Sequence, residues 1–489
     1  ISILCLMKNS ISQIKTPKTK IICTLGPSTH TKSVITKLIK SGMSIARLNM
    51  SHGSLESHQS LIQNVRQISS DLHTPIGIMI DIPGTKYRIG NLKNNQHDLI
   101  KGDNITITTK KIIGNNKIIS VEPNGIHKDI KLNAHILIDD GLIRLRAIKV
   151  NEKEIVCKIL NNGKISQKKG ITLPGLPTSL KFPGEKSIEC LKFADKQNPD
   201  FIALSNITSE KDISKAKSIL KNTNGKSNII SKIERPEALE NIKSIIKASD
   251  AIMVARGDLG VEVPIAKVPI IQKEIISECN QNGKPVITAT QMLESMIHSS
   301  TPTRAEVTDI ANSIFDGTDA IMLSAETSIG KYPIEAVKVM SEIATETEKV
   351  LPYEKIIMEK SHQTEPKSED TISYDACWSA YQLKAKLIVA FTESGSTAGR
   401  VSRYRPPTKI LALTPKKDVQ RKLTLLWGVI PVTVEKLFNV DDFFNKALKE
   451  SISNMNLKEK DLLILVAGLP IGVPGGTNLL RVMTVPSKK

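Results

Sequence analysis

The sequence predicts an α/β protein whose main domain is a closed barrel of eight parallel strands. Three observations support this. Eight short apolar runs rich in β-branched residues alternate with helical segments, one long gap in that alternation contains only short strands and turns, and further strand–helix repeats follow a polar linker. Near-continuous apolar strands that alternate with helices are typical of a parallel sheet covered on both faces. Eight such units predict a (β/α)8, or TIM, barrel.

The barrel strands are predicted at Lys20–Gly26, Ser44–Met50, Ile76–Asp81, Phe201–Asn206, Asn228–Glu234, Ala251–Asp258, Pro285–Gln291 and Ala320–Thr327. Helical periodicity occurs between most of them, as in Lys32–Ser41, Leu55–Leu72 and Lys267–Asn282.

A small β-domain is predicted between Asp81 and Phe201, where short strands replace the helix. Its predicted strands are Asn104–Thr109, Lys117–Val121, His135–Ile138, Leu142–Val150 and Glu154–Ile159, with hairpin turns at Gly114-Asn115-Asn116 and Asn161-Asn162-Gly163. After a predicted linker at Ser361–Asp370, a separate α/β domain is predicted with strands Leu387–Phe391, Ile410–Leu413, Val429–Thr433 and Leu462–Val466. We therefore expect an N-terminal extension at 1–14, a barrel at 15–83 and 185–353, an inserted β-domain at 84–184 and a C-terminal α/β domain at 354–489.

Composition narrows the class of protein. With 489 residues, 40% hydrophobic and 24% charged, the chain is expected to form two or three globular domains. No apolar run approaches the roughly 18 residues of a membrane span, so we expect no membrane partner. The six cysteines are scattered without a Cys-x-x-Cys pair, which fits a reducing compartment and predicts a cytoplasmic location. We expect Met7 to be the natural start.

The net charge of +19 does not by itself indicate nucleic-acid binding. The lysines are spread along the chain, and aromatic residues, which stack on single strands, make up only 3%. We expect no nucleic-acid partner. A positive field would still attract anionic metabolites.

Polar residues are concentrated where the predicted barrel strands end. Because the carboxyl ends of all strands meet at one mouth of such a barrel, these side chains are expected to face a common site. They are Arg47, Asn49, Ser51, His52, Asp81, Lys232, Glu234, Asp258, Thr290, Ser324 and Glu326.

Several of these residues also have a plainer explanation. Lys232 and Glu234 could pair across solvent, Asp258 could cap a helix, and Asn49 or Ser51 could satisfy a turn. A functional site is favoured because six strands contribute polar ends to one rim, and no single structural role explains all of them.

The residue types indicate phosphoryl transfer. Glu234 and Asp258 offer the hard oxygen ligands that suit Mg²⁺ or Mn²⁺, with substrate oxygens completing the shell. Arg47 and Lys232 bring positive charge toward a phosphoryl group or an oxyanion. The turn at Gly257 leads into a predicted helix whose backbone N–H groups can hold an anion. No Walker loop, kinase catalytic loop or His-Glu-x-x-His motif is present.

Long motifs resemble the pyruvate kinase family. They are Thr19–Ser28 with KIICTLGP, Ile45–Ser54 with ARLNMSHG, Ser231–Arg235, Ile252–Ile265 with MVARGDLGVEVP, Gly283–Ile297, Thr301–Ser313 and Asp316–Ser328. The resemblance runs from about Thr19 to about Arg481. It implies phosphoryl transfer from phosphoenolpyruvate to ADP in glycolysis, a mobile lid formed by the inserted β-barrel, and a homotetramer.

The resemblance also implies residue roles. Glu234 and Asp258 would bind Mg²⁺ (or Mn²⁺), and Lys232 and Arg47 would contact the phosphoryl group. Protonation of the enolate would involve Thr290, Ser324 and Glu326, and the backbone of Gly257 and Asp258 would hold the substrate carboxylate. The nucleotide would lie near Thr24, Pro27, Asn49, His52, Arg88 and, from the lid, Asp140.

The chain departs from the family at Lys86, where the family has Glu. The family's K⁺ ligands match Asn49, Ser51, Asp81 and the carbonyl of Ile82. A tethered ammonium can supply the same positive charge, so we expect activity without K⁺. The alternative is that Lys86 is a solvated surface lysine. Asn206 and Thr208 also replace the family's usual Phe and basic residue, which leaves one nucleotide contact open.

A loop of the last domain resembles the family's effector phosphate loop. Its hydroxyls and backbone N–H groups at Thr392, Ser394, Gly395, Ser396 and Thr397 are suited to hold a phosphate. Glu393 disfavours a bisphosphate, so a sugar monophosphate, AMP and no effector remain the alternatives.

Two other functions compete with this interpretation. Another barrel enzyme that handles phosphoenolpyruvate, such as a lyase or aldolase, would need neither ADP nor a mobile insertion. A non-catalytic regulatory or nucleic-acid-binding paralogue would be expected to lose the metal and lysine positions, yet Lys232, Glu234 and Asp258 are present.

Overall fold

The computed structural model describes residues 16–220, 226–361, 367–472 and 476–487. The predicted N-terminal extension at 1–14 and residues 362–366 of the predicted linker lie outside the described residues. Within the described ranges, no helix is both long and apolar enough to cross a membrane.

The strands, in chain order, are β1 Lys20–Thr24, β2 Met43–Asn49, β3 Gly77–Ile82, β4 Tyr87–Ile89, β5 Gln96–Leu99, β6 Asn104–Thr108, β7 Ile118–Glu122, β8 His135–Ile138, β9 Ile143–Val150, β10 Glu154–Ile159, β11 Gly163–Ser166, β12 Gly170–Thr172, β13 Phe201–Leu204, β14 Asn228–Ile233, β15 Ala251–Ala255, β16 Val286–Ala289, β17 Ala320–Leu323, β18 Leu387–Phe391, β19 Ile410–Thr414, β20 Val429–Thr433, β21 Leu462–Ala467 and β22 Leu479–Thr484.

The α-helices are α1 Lys32–Ser41, α2 Leu55–Asp71, α3 Ile126–Asp129, α4 Glu185–Gln197, α5 Glu210–Ile219, α6 Pro236–Glu240, α7 Ile242–Ala248, α8 Arg256–Glu262, α9 Val268–Gln281, α10 Arg304–Phe315, α11 Ala325–Ser328, α12 Pro333–Lys349, α13 Tyr353–Ser361, α14 Ser368–Gln382, α15 Ser396–Arg403, α16 Lys417–Lys422 and α17 Val440–Asn454.

Eight parallel strands close into the predicted barrel, in the order β1, β17, β16, β15, β14, β13, β3, β2. Large and small apolar side chains, among them Met79, Phe201 and Met253, fill its interior, as expected for a packed barrel without a pore. Helices cover the outside and begin at residues suited to cap them: the side chains of Thr31, Ser54 and Thr303 accept backbone N–H bonds at the starts of α1, α2 and α10. The predicted fold class is confirmed.

Several predicted strands end too late. The chain turns into α8 at Arg256 and into α11 at Ala325, so Asp258 and Glu326 lie on short helices that follow the strands. The apolar pattern stops at Ala255 and Leu323, because the polar residues beyond them leave the sheet to form the rim of the barrel mouth.

The inserted β-domain is a second closed barrel, with strand order β10, β6, β7, β4, β12, β8, β9, and β5 pairs with β11 beside it. Two predicted hairpins are wrong. β6 and β7 pair in parallel, and β11 pairs with β5, not with β10, so neither Gly114-Asn115-Asn116 nor Asn161-Asn162-Gly163 joins antiparallel neighbours. The prediction also missed β4, β5, β11 and β12, because these short strands each contain only one or two apolar residues and show no apolar run.

The C-terminal domain is a five-stranded sheet in the order β20, β19, β18, β21, β22, with apolar clusters on both faces. Its edge strand β22 is antiparallel and was missed, since most of its residues are partly or fully exposed. The predicted linker at Ser361–Asp370 is largely wrong where it is described: α13 continues to Ser361 and α14 begins at Ser368.

Charged contacts join this domain to the barrel at the end opposite the rim. Arg421 Nε lies 2.7 Å from Asp200 Oδ1, and Arg405 Nη2 lies 3.1 Å from Asp319 Oδ1. Lys20 Nζ, at the start of β1, donates to the carbonyl of Val429 at 2.6 Å. Burial and, to a lesser extent, the nearby Lys409 lower the pKa of Lys20 to about 7.

We expect Lys20→Met to raise the melting temperature more at pH 6.5 than at pH 10. The folded-state pKa of Lys20 is below its unfolded value, so the cost of burying its charge is complete below about 7 and disappears as the pH rises toward the ordinary value of 10.5. Thermal denaturation at both pH values measures this. Lys37→Met, on the exposed face of α1, is the control, and an equal gain at the two pH values would contradict the prediction.

Candidate active site

The Lys232 side chain lies at the centre of a buried charge cluster on the barrel rim. Its Nζ is 2.8 Å from Glu234 Oε1 and 3.4 Å from Asp81 Oδ1, and it donates to Ser205 Oγ at 2.8 Å. Burial would lower the pKa of Lys232, but the carboxylates of Asp81, Glu234 and Asp258 raise it above its ordinary value. The ammonium group is therefore charged at neutral pH.

Arg47 on β2 joins this cluster from the other side of Asp81. Its Nε and Nη2 contact Asp81 Oδ2 at 2.9 and 2.8 Å, and its Nη1 donates to Thr24 Oγ1 at 2.8 Å. Burial would raise the pKa of Asp81, but Lys232 and Arg47 hold it below its ordinary value. One buried carboxylate thus orients two cations.

The two predicted metal ligands, Glu234 and Asp258, are brought together. Burial raises the pKa of Glu234, and the charge of Asp258 adds to this, although Lys232 opposes it. Glu234 is buried and the neighbouring Asp258 is partly exposed. Two neighbouring carboxylates with hard oxygens suit a divalent cation, whose charge would remove their mutual repulsion. Across the described ranges, no group of three or more histidine, cysteine or acidic side chains is arranged to hold a metal ion.

Lys86 reaches into this site. Its Nζ forms an ion pair with Asp258 Oδ1, and the two side chains are each 31% exposed. Burial would lower the pKa of Lys86, but Asp258 and Glu234 raise it. Lys86 is therefore a charged neighbour of the predicted metal ligands, and the alternative of a solvated surface lysine does not fit.

Thr290 follows β16 in an unusual backbone conformation, with φ of +72°, and the next residue, Gln291, has φ of +54°. A β-branched residue at positive φ is a rare outlier. The Thr290 hydroxyl accepts a hydrogen bond from Gly257 N at 2.7 Å and donates to the carbonyl of Ala289 at 2.6 Å. The predicted carboxylate-binding turn and Thr290 are therefore in direct contact.

Glu326 fixes the rim after β17. Its two carboxylate oxygens accept bonds from the backbone N–H groups of Ser324, at 2.7 Å, and Leu293, at 3.1 Å. The side chain is buried. Glu326 thus ties the segment after β16 to the segment after β17, and both carry predicted site residues.

The predicted nucleotide residues are only partly brought together. Partial burial lowers the pKa of His52, and the nearby cations Arg88, Lys186 and Arg47 lower it further, which indicates a cationic edge. Pro27 begins a short 3₁₀ turn after β1. Asp140 lies exposed in the turn between β8 and β9, and no hydrogen bond or ion pair joins it to the Lys232 cluster among the described residues.

The predicted monovalent-ion ligands are engaged with protein groups. Asn49 Oδ1 accepts a bond from Ser51 N at 3.1 Å, and Asp81 is paired with Arg47 and Lys232. Ile82 ends β3 beside these groups.

The predicted effector loop precedes α15. Gly395, in the left-handed region with φ of +95°, donates its N–H to Thr392 Oγ1 at 2.9 Å, and Ser394 and Ser396 share a hydrogen bond of 3.1 Å. Thr397 Oγ1 accepts a bond from Thr477 at 3.2 Å.

Glu393, which lies within this loop, pairs with Lys416 at 3.3 Å. The negative charge that was expected to disfavour a bisphosphate is therefore partly offset by a lysine.

Phosphoryl transfer requires a protein mainly to position its substrates and to neutralise charge. The rim offers fixed cations and a pair of metal-type carboxylates for both tasks, so the fold and the site together define a phosphotransferase built on a (β/α)8 barrel. Comparison with known proteins identifies the family within this class of enzymes. Models of the pyruvate kinase barrel domain and the pyruvate kinase alpha/beta domain match residues 16–337 and 370–483.

The pyruvate kinases of Staphylococcus aureus strains MRSA252 and NCTC 8325 are each 40% identical to the chain over 470 residues, which is 96% of this chain and 80% of theirs. A crystal structure of a pyruvate kinase from Cryptosporidium parvum matches with a TM-score of 0.91 and 38% identity, over 97% of both chains. The chain belongs to the pyruvate kinase family.

The family, the fold class and the enzyme class predicted from the sequence are confirmed, and the lyase, aldolase and non-catalytic alternatives are not supported. Dependence on a divalent metal follows from the family in general.

Sequence reasoning did not assign roles to three residues that the structure brings to the rim. Ser205 accepts from Lys232 and donates to Asp81 Oδ1 at 3.3 Å. Asn206 donates its backbone N–H to Glu234 Oε2 at 2.7 Å. Lys186, at the start of α4, approaches the carbonyl of Ser51 at 3.5 Å. Position after a barrel strand could have indicated the first two, but nothing in the sequence marks Lys186 among its many lysines.

We expect Glu234→Gln to weaken Mn²⁺ binding by at least about 10-fold, because one of two charged oxygen ligands is neutralised. Titration calorimetry or the electron paramagnetic resonance of free Mn²⁺ measures the affinity without turnover. Glu240→Gln, on the exposed end of α6, is the matched control. Unchanged Mn²⁺ affinity in Glu234→Gln would exclude this carboxylate as a ligand.

Proposed function

We propose that the chain transfers the phosphoryl group of phosphoenolpyruvate to ADP in a Mg²⁺-dependent reaction, giving pyruvate and ATP in glycolysis. The observation that carries the proposal is the Lys232 ammonium buried between Asp81 and Glu234 at the barrel rim, 2.8 Å from the Glu234 carboxylate. Membership of the family supports the same substrates.

In the proposed reaction, Lys232 and Arg47 stabilise the negative charge of the phosphoryl group as it leaves the enolate oxygen. Both cations are already held by Asp81, so they need little reorganisation. Glu234 and Asp258 would hold the divalent cation, which supplies further charge neutralisation when bound. Hard carboxylate oxygens suit Mg²⁺ and Mn²⁺ alike, so either ion would fill this role.

The second half of the proposed reaction adds a proton to the enolate carbon. In the proposal, the Thr290 hydroxyl would relay that proton, and Ser324 and Glu326 would orient a water beside it. A substrate carboxylate bound at the N–H of Gly257 would displace the Thr290 hydroxyl from its 2.7 Å contact. Substrate binding would therefore release Thr290 for proton transfer.

We also propose that ADP lies beside His52 and the nearby cations Arg88 and Lys186. Thr24, Pro27 and Asn49 would lie near it, and Asp140 would approach when the inserted domain closes. Asn206 Nδ2 donates to the carbonyl of Thr85 at 3.1 Å, at the point where the chain leaves the barrel for that domain. Closure would exclude water and limit hydrolysis of phosphoenolpyruvate.

The remaining proposals concern regulation and assembly. The Thr392–Thr397 loop, with its hydroxyls and left-handed Gly395, would hold the phosphate of an effector such as a sugar monophosphate or AMP. A homotetramer in the cytoplasm is proposed from the family resemblance alone.

We expect Lys232→Met to lower kcat by at least about 10²-fold, because charge stabilisation in the transition state is lost. Pyruvate formation coupled to lactate dehydrogenase, with Mg²⁺ and phosphoenolpyruvate and with or without ADP, measures this. Lys192→Met, on the exposed face of α4, is the control. Near-normal turnover of the Lys232 variant would remove its proposed role, and pyruvate formation without ADP would favour a lyase.

We expect the wild-type chain to be active without K⁺, and Lys86→Glu to require it. The Lys86 ammonium forms an ion pair with Asp258 at the site, whereas a carboxylate there would need a bound cation to restore the charge. Rates in KCl and in matched tetramethylammonium chloride compare the two. Strong KCl activation of the wild-type chain would show that Lys86 does not replace the ion.

A further inference from the structure

The turn after β16 has a backbone conformation that threonine rarely adopts, and an arginine side chain donates a hydrogen bond to the backbone of this turn. Thr290 and Gln291 both have positive φ, +72° and +54°. Such conformations persist only where surrounding contacts enforce them, and they are concentrated at functional sites.

The guanidinium of Arg256 contacts three successive residues of that turn. Its Nη2 donates to the carbonyl of Thr290 at 2.7 Å, lies 3.4 Å from the carbonyl of Gln291 and 3.0 Å from Met292 Sδ. Its Nη1 is held 2.7 Å from Asp309 Oδ2 on α10. The Arg256 side chain is only 11% exposed.

Arg256 therefore holds the turn through its side chain, which fixes the peptide of Thr290. Before substrate binds, the next residue in the chain, Gly257, also donates its N–H to the Thr290 hydroxyl at 2.7 Å. A shift of the Thr290 peptide would move the hydroxyl relative to the proposed enolate carbon, and a misplacement of about 1 Å can cost about 10²-fold in rate.

We propose that Arg256 is a positioning residue that sets the Thr290 hydroxyl for proton transfer to the enolate carbon. This rests on the proposed function, in which Thr290 relays that proton. Only a planar fork of several N–H donors can satisfy a carboxylate and two carbonyls together, so lysine, with one compact ammonium, is not an equivalent replacement.

The main test is Arg256→Lys. We expect kcat to fall about 10- to 100-fold, with the KM for phosphoenolpyruvate changed by less than about 3-fold. Exchange of the pyruvate methyl protons in D2O, followed by ¹H NMR, reports proton transfer alone: a C–H bond breaks and its proton passes to solvent, then a deuteron from solvent forms a C–D bond. We expect this exchange to slow in parallel with kcat.

A double-mutant cycle shows whether the effect passes through Thr290. In a Thr290→Ala background, adding Arg256→Lys should lower kcat by less than about 3-fold, because the group being positioned is already absent. The same loss in both backgrounds would overturn the proposal. Unchanged kcat or unchanged exchange in Arg256→Lys would overturn it as well.

Two further measurements separate the positioning of Thr290 from an effect on metal binding and from a general effect of replacing a paired arginine. Arg256 is two residues from Asp258, so Mn²⁺ affinity is measured in Arg256→Lys: a loss that accounts for the fall in kcat would contradict the positioning role. Arg421→Lys makes the same exchange in an ion pair at the far end of the barrel and should leave kcat unchanged. If Arg256→Lys does not fold, Asp309→Asn, which removes the anchor of the guanidinium, should show a smaller loss with the same dependence on Thr290.

The two hypotheses fail in different ways. A wild-type chain that forms no pyruvate from phosphoenolpyruvate and ADP would overturn the proposed function. An active wild-type chain with a fully active Arg256→Lys variant would overturn only the role of Arg256.

Discussion

The active-site rim depends on one constraint: the buried ammonium of Lys232 must be surrounded by carboxylates. A charge removed from water is costly unless it is paired and hydrogen-bonded, and here Asp81, Glu234 and Ser205 supply those partners. Asp81 lies on β3, and Ser205 and Glu234 directly follow β13 and β14, which are adjacent strands of the barrel. The order of the strands therefore brings carboxylates to the Lys232 ammonium and balances its charge. Catalysis would use this ammonium, which the fold has already stabilised.

The inserted domain adds to this balance. Lys86 lies just before β4, and its ammonium neutralises Asp258. Asn206 connects the same region to the barrel: its side chain donates to the carbonyl of Thr85 and its backbone N–H to Glu234. Gly84 faces Asn206 so closely that a Cβ would lie 2.5 Å from Asn206 Nδ2. The charge on the metal-type carboxylates and the position of the inserted domain are thus physically linked.

The sequence was sufficient to predict the strand count of the barrel, the presence of the insertion and part of the rim, because hydrophobic periodicity and composition carry that information locally. It was not sufficient to predict which distant residues and strands of the chain contact each other. Nothing local indicates that Lys86 meets Asp258 across 172 positions, or that β6 and β7 run in parallel, since closure of the two barrels determines both. The position of Asp258 on a helix was missed for a related reason: the apolar signal ends at Ala255, and the direction of the chain beyond it depends on packing at the rim.

At the rim, the backbone conformation that a residue type prefers disagrees most clearly with the conformation observed in the structure. Asn206 tolerates its left-handed conformation because asparagine does so readily, whereas Thr290 does not and needs the contacts of Arg256 and Gly257 to hold it. A sequence method scores threonine at that position as ordinary strand, because it evaluates the residue without its neighbours. The disagreement is informative, since a conformation that local preference opposes persists only if the rest of the fold stabilises it. In this barrel, the arginine that contacts the Thr290 carbonyl lies on the same short helix, α8, as Asp258, so one short segment carries a predicted metal ligand and, in our proposal, positions the Thr290 hydroxyl.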